Sequence, residues 1–247
     1  MKCVNWKSPP LNLEKLNLLD NQVHLWRANL DISASEIEQL KNILSTDEKD
    51  RAERFKFVQH QNRFIAARGF LRKIINYYLS IPQQDILFKY SDRGKPKLPY
   101  NNLQFNLSHS QNIALYAITK HKLIGIDIEY VRSDVDCYKI AERFFNTREY
   151  QLIKNLDRAK QAQTFFHFWT IKEAYLKATG EGLVGGLDAV EINLDRESNI
   201  NILGIAKETI AANNWFFDSF IPQDDFIATV AVKNQQQPLT IKQYTLN

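Results

Sequence analysis

Glu173 and Lys177 stand four residues apart in the stretch Trp169-Thr170-Ile171-Lys172-Glu173-Ala174-Tyr175-Leu176-Lys177. That spacing puts them on one face of a helix, with Trp169 one turn earlier. About forty residues upstream lies Gly125-Ile126-Asp127-Ile128-Glu129. Its alternation predicts a strand, with Asp127 and Glu129 on one side and Ile126 and Ile128 on the other. Three carboxylates and a lysine on two rigid elements could hold a hard metal ion against a phosphate. Each piece also has a plainer reading. An isolated Asp-x-Glu is usually a solvated strand end, and Glu173 with Lys177 could be a surface pair worth a few tenths of a kcal/mol. The surroundings weigh against the second, because Phe165, Phe166, Phe168, Trp169, Tyr175 and Leu176 leave that helix little polar face. Charges set among large apolar side chains are commonly paired or functional.

The elements that must carry these residues can be read from punctuation. Ser33 with Glu36, Ser45 with Glu48, and Asn146 with Glu149 have the spacing of capping boxes that open helices. A long helix is expected from about Asn62 to Leu79, stopped by Ile81-Pro82. A second is expected from about Arg158 to Ala178, ending at Gly180. Strands are expected at Val23 to Ala28, Ile86 to Tyr90, Ala189 to Leu194, Trp215 to Phe220 and Phe226 to Val232. A hairpin is expected from Phe105 to Thr119. Helix followed by antiparallel strands occurs twice, and the two long helices align by eye. The expectation is an α+β fold of two similar halves, residues 1–120 and 121–247, with a cleft between them. Lys120-His121-Lys122 marks the boundary, without a Pro- or Ser-rich linker.

Composition narrows the function. The chain has 247 residues, 44% of them hydrophobic, which suits a globular protein with an ample core. The net charge of +4 is dispersed, without the basic run of a nucleic-acid arm. A mild basic excess favours a polyanionic cofactor and an acidic partner. Cys3 and Cys137 lack metal-ligand spacing, which points to a reducing compartment. Neither a secretory core nor a membrane-length apolar run is present, so a cytoplasmic protein is expected.

The two acidic motifs, taken in this order, resemble those of the 4′-phosphopantetheinyl transferases, in particular the large surfactin-synthetase type. The family carries Gly-x-Asp with an acidic residue two further on, then Trp-x-x-Lys-Glu-(Ser/Ala)-x-x-Lys, and every fixed position is present. Gly94-Lys95-Pro96 and Asn106-Leu107-Ser108-His109-Ser110 are similar to family stretches too. The resemblance implies a pseudo-twofold monomer that moves 4′-phosphopantetheine from coenzyme A to a serine of an apo acyl or peptidyl carrier protein. It implies Mg²⁺ held by Asp127, Glu129 and Glu173, with Glu173 also the base and Lys177 neutralising or protonating the departing phosphate. For coenzyme A it implies Arg51 at the 3′-phosphate. Gly94, Lys95 and Pro96 would cradle the nucleotide, with backbone groups near adenine and Lys95 near phosphate, Ser108 and His109 would bind phosphate, and Arg93 and Asn106 would join the coenzyme A site. Lys172 is assigned a supporting phosphate contact and Trp169 a core role. Some members carry a lysine one turn before Arg51, where this chain has Glu48. Arg68 could join the phosphate site or pair with an internal carboxylate. Another Mg²⁺-dependent phosphate-cleaving enzyme, such as a phosphodiesterase, and a non-catalytic coenzyme A or carrier-binding module are the alternatives.

Overall fold

In the computed structural model, which describes residues 1–10, 16–99, 102–182, 186–194, 200–205, 213–234 and 238–246, all three capping boxes open helices. In each, the glutamate accepts the backbone N–H of the cap residue: Glu36 from Ser33, Glu48 from Ser45, Glu149 from Asn146. The helices are α1 (Ala34–Asn42), α2 (Thr46–Glu53), α3 (Val58–Leu79), α4 (Cys137–Phe144), α5 (Thr147–Lys154) and α6 (Arg158–Thr179). Gly180 ends α6 in the left-handed region, at φ 81. The expected start of α3 at Asn62 falls four residues late, because Phe57 caps the helix through an extended backbone without a side-chain bond.

The strands are β1 (Lys2–Cys3), β2 (Gln22–Asn29), β3 (Lys89–Tyr90), β4 (Pro96–Lys97), β5 (Leu103–Ser110), β6 (Ile113–Lys120), β7 (Ile124–Tyr130), β8 (Val190–Leu194), β9 (Ile200–Ile205), β10 (Trp215–Ile221), β11 (Phe226–Lys233) and β12 (Thr240–Leu246). One four-stranded sheet runs β12-β2-β6-β5, the other β1-β10-β11-β7, and β3-β4 and β8-β9 are short pairs. Both termini cross over. Strand β12 lies parallel on β2, and β1 lies parallel on β10. The strand expected from Ile86 shrinks to Lys89–Tyr90, since Ile86 follows a 3-10 turn and is buried in the core.

Alternation along the strands sorts side chains into three cores. Trp26, Tyr116 and Ile118 face α3, packing with Ile65, Leu71 and Ile75. Val23, Leu25, Leu115, Ala117, Ile126, Ile128, Val230 and Val232 fill the space between the two sheets. Phe165, Phe168, Ile171 and Leu176 of α6 pack with Ile227 on the far side. The order is therefore helix, sheet, sheet, helix, and each fully buried Ile or Leu contributes about 1.5–3 kcal/mol. Because Ile124, Ile126 and Ile128 turn toward the other sheet, Gly125, Asp127 and Glu129 must turn the other way. The fold thus aims the acidic pair at α6.

Candidate active site

Strands β5 and β7 are the edges of the two sheets, and their seam is closed by side chains. Asn106 Oδ1 accepts from Ile126 N at 2.9 Å, and Ser110 Oγ accepts from Tyr130 N at 3.1 Å. Ser108 Oγ donates to Asp127 Oδ1 at 3.0 Å, and Ser110 Oγ donates to Glu129 Oε2 at 3.2 Å. Residues 106, 108 and 110 share one face of β5, so a period-two strand supplies polar groups along the whole seam. Edge N–H groups that would otherwise be unpaired are satisfied in this way.

Helix α6 crosses β7 at Gly125. A Cβ there would stand 2.0 Å from Ala174 O and 2.5 Å from Ala178 N, so only glycine permits this approach. The crossing brings Lys177 down onto the seam. Its Nζ donates to Asp127 Oδ1 at 2.6 Å and to Ser108 Oγ at 2.8 Å. Asp127 is buried, whereas Glu129, Glu173 and Lys177 are partly exposed.

One field couples these groups. Burial raises the Asp127 pKa, opposed by the charge of Lys177 and by hydrogen bonds from Lys177 and Ser108. Glu129 is pushed up to about 7, first by burial and then by the charge of Asp127. Burial also raises Glu173, with Asp127 adding to it. Asp127 Oδ2 is buried without a hydrogen-bond partner, and the Glu173 carboxylate takes no hydrogen bond from a described residue. Three carboxylates against one lysine, with unused oxygens, suit a hard divalent cation. Among the described residues, no group of three or more His, Cys, Asp or Glu side chains is arranged so that it could hold a metal ion. Mg²⁺ commonly takes only one or two carboxylates, with waters and substrate phosphate completing its shell.

A cleft of about 340 Å³ opens beside this cluster. Arg51, Arg93, Gly94, Lys95, Pro96, Asn106, His109 and Lys177 line it, as do Phe64 and Tyr90, which the sequence reading passed over. Arg51 holds its guanidinium over the Phe64 ring, 5.5 Å from the centroid. The His109 pKa is lowered by burial, then by the charges of Lys177, Arg63 and His60. That cationic wall suits a polyanion.

Three side chains expected at the coenzyme A phosphates meet protein partners instead. Lys172 is fully buried, which leaves its ammonium no open path to a phosphate in the cleft. It pairs with Glu149 at 2.9 Å and donates to Val190 O, inside the core under α6. Helix pitch alone could not place it, because its partner lies twenty-three residues away. Lys172→Met should leave Glu149 charged and buried, costing about 3–5 kcal/mol. Urea unfolding should record that loss while coenzyme A affinity is unchanged, and adding Glu149→Gln should recover part of it. Ser108 serves the Asp127–Lys177 network and does not line the cleft. Lys95 lines the cleft, yet its ammonium is turned onto three backbone carbonyls. As for Glu48, it pairs with Arg68 and Arg72 at 2.6 and 2.7 Å, and Arg68 also lines the cleft and donates to Tyr90 Oη at 2.7 Å.

A family model described as the 4′-phosphopantetheinyl transferase superfamily matches residues 123–231, and one described as 4′-phosphopantetheinyl transferase, N-terminal, matches residues 28–121. The chain is 42% identical over 231 residues to the 4′-phosphopantetheinyl transferase HetI of Nostoc sp., covering 92% of this chain and 93% of that protein. It is 35% identical over 170 residues to the 4′-phosphopantetheinyl transferase psf-1 of Bacillus pumilus, covering 68% and 71%. With the 4′-phosphopantetheinyl transferase Sfp of Bacillus subtilis it shares 29% over 172 residues, covering 69% and 75%. A relative 42% identical over 92% of the chain, and family models over residues 28–121 and 123–231, make this chain a member of the 4′-phosphopantetheinyl transferase superfamily.

Proposed function

We propose that the protein transfers 4′-phosphopantetheine from coenzyme A to a serine hydroxyl of an apo acyl or peptidyl carrier protein, releasing adenosine 3′,5′-bisphosphate. The observation that carries this reading is the Lys177–Asp127–Ser108 network, set beside a cationic cleft with the Glu173 carboxylate on the same helix face. The serine oxygen forms a bond to the β-phosphorus, and the bond from that phosphorus to the bridging oxygen breaks. Glu173 takes the serine proton, since a carboxyl group with a raised pKa is better matched to that task near neutrality. Lys177 stabilises charge that develops on the phosphate oxygens. Asp127, Glu129 and Glu173 would hold Mg²⁺, whose contribution when bound is charge neutralisation on the pyrophosphate. Most of the rate then comes from positioning and electrostatics.

The two-half reading, residues 1–120 and 121–247, belongs to this proposal. Each half lays a 22-residue helix on three strands of its own, and one strand from the other half, β12 or β1, completes the four-stranded sheet. In each, the long helix gives a buried cation to the capping-box glutamate of the short helix before it: Arg68 and Arg72 to Glu48, Lys172 to Glu149. Among the described residues no helix is long and apolar enough to cross a membrane. We take the enzyme as cytoplasmic and monomeric, with Cys3 and Cys137 as free thiols.

Carrier docking is assigned to Val131 to Phe145. The two phenylalanines there differ, since Phe144 is exposed and Phe145 is buried against Phe165. Arg132 and Lys139 are exposed and, among the described residues, pair with Asp134 and Asp136 at the surface, so their charges remain available to an acidic partner. Reversing both to Glu should raise the KM for carrier on the order of tenfold and leave coenzyme A affinity alone. Unchanged carrier kinetics would move the docking site elsewhere on the cleft rim. The reading as a whole is tested by following coenzyme A cleavage with and without apo carrier. Cleavage that depends on carrier supports transfer, whereas equal cleavage in its absence favours a phosphodiesterase.

A further inference from the structure

The turn between β3 and β4 carries Lys95, and the destination of its ammonium is unusual for a cleft lysine. Nζ donates to Ile124 O at 3.2 Å, to Lys177 O at 2.5 Å and to Ala178 O at 3.1 Å. An ammonium has three N–H donors, so these acceptors use all of them and none is left for a phosphate. Lys177 and Ala178 lie in the last turn of α6, where carbonyls lack helical partners and the helix dipole favours a cation. Ile124 opens β7, one residue before the glycine that α6 crosses. One side chain from the cleft turn therefore ties the end of α6, which carries Lys177, to the start of β7, which carries Asp127.

The turn itself is built to hold that side chain in place. Gly94 adopts φ 77 and donates to Ser91 O, while Ser91 N donates to Lys95 O and Lys95 N to Ser91 Oγ. Lys95 is partly buried, and burial lowers its pKa to about 8, with the charge of Lys97 adding to that. Carbonyl dipoles, with no carboxylate among the three acceptors, hold the ammonium.

We propose that Lys95 is a positioning residue that acts through Lys177, fastening the nucleotide-side turn of the cleft to the catalytic end of α6. Its activity test rests on the transfer reaction proposed above. The experiment is a double-mutant cycle of Lys95→Met and Lys177→Ala, read by single-turnover transfer to apo carrier with enzyme in excess. Calorimetric coenzyme A binding and amide hydrogen exchange of residues 176–180 accompany it. Lys95→Met should lower the rate at saturating coenzyme A roughly tenfold, shift coenzyme A affinity by less than about twofold, and have almost no effect in the Lys177→Ala background. Exchange at the end of α6 should quicken in Lys95→Met, and Lys95→Arg should restore part of the rate. An equal rate factor in both backgrounds would overturn the proposal. So would weaker coenzyme A binding with the saturated rate unchanged, which is the behaviour of a phosphate ligand. If Lys95→Met does not fold, the smaller loss in Lys95→Arg must vanish in the Lys177→Ala background in the same way. If the wild-type protein transfers nothing, the functional reading fails, and exchange alone decides the latch: faster exchange supports it, unchanged exchange refutes it.

Discussion

Glu173→Gln should reduce turnover by roughly 10² or more, in the range typical of general-base loss, without disturbing the fold. The amide keeps the size and the helical preference of the side chain but can neither take up the serine proton nor carry charge toward a metal. The Glu173 carboxylate is only partly buried and takes no hydrogen bond from a described residue, so no side-chain contact is broken. Thermal unfolding should therefore match the wild type. Added Mg²⁺ should refill the metal site without restoring the rate. Full rescue by metal would show that Glu173 is a ligand and not the base.

Gly125→Ala should cost about 3 kcal/mol or more and abolish most activity with it. The added methyl would meet Ala174 O at 2.0 Å and Ala178 N at 2.5 Å, both main-chain atoms of α6 that cannot rotate away. The helix has to lift, and Lys177 would leave Asp127 as it does. Gly94→Ala is the useful comparison. It meets no atom within 4 Å, so it adds only the backbone strain of an alanine at φ +77, on the order of 1 kcal/mol. Urea midpoints of the two variants should differ clearly, with Gly125→Ala far lower. Near-wild-type stability for Gly125→Ala would refute the close crossing that assembles the site.

What was legible in the sequence is what depends on local pattern. Period two in residues 124–130 told which side Asp127 and Glu129 would take, and spacing of four placed Glu173 with Lys177. Capping pairs marked three helix starts because they are contacts within one turn. What escaped depends on partners far along the chain. Lys172 and Lys177 sit on one helix whose faces are nearly all apolar, so pitch cannot tell which lysine is core. Glu149 decides it, through a contact that only the fold creates. The crossing of β1 and β12 to the opposite sheets was likewise hidden, since an edge strand does not encode its neighbour. Ser110 was within reach: it continues the Asn106, Ser108 alternation and pairs with Glu129, but it was passed over.

The most direct measurement is intact-mass analysis of an acidic apo carrier protein incubated with this enzyme, coenzyme A and Mg²⁺. The account predicts that the carrier gains one 4′-phosphopantetheine on its serine. The gain should require Mg²⁺, disappear when that serine is replaced by alanine, and fail with Asp127→Ala enzyme. A carrier mass that stays unchanged with wild-type enzyme, while coenzyme A is cleaved, would contradict it.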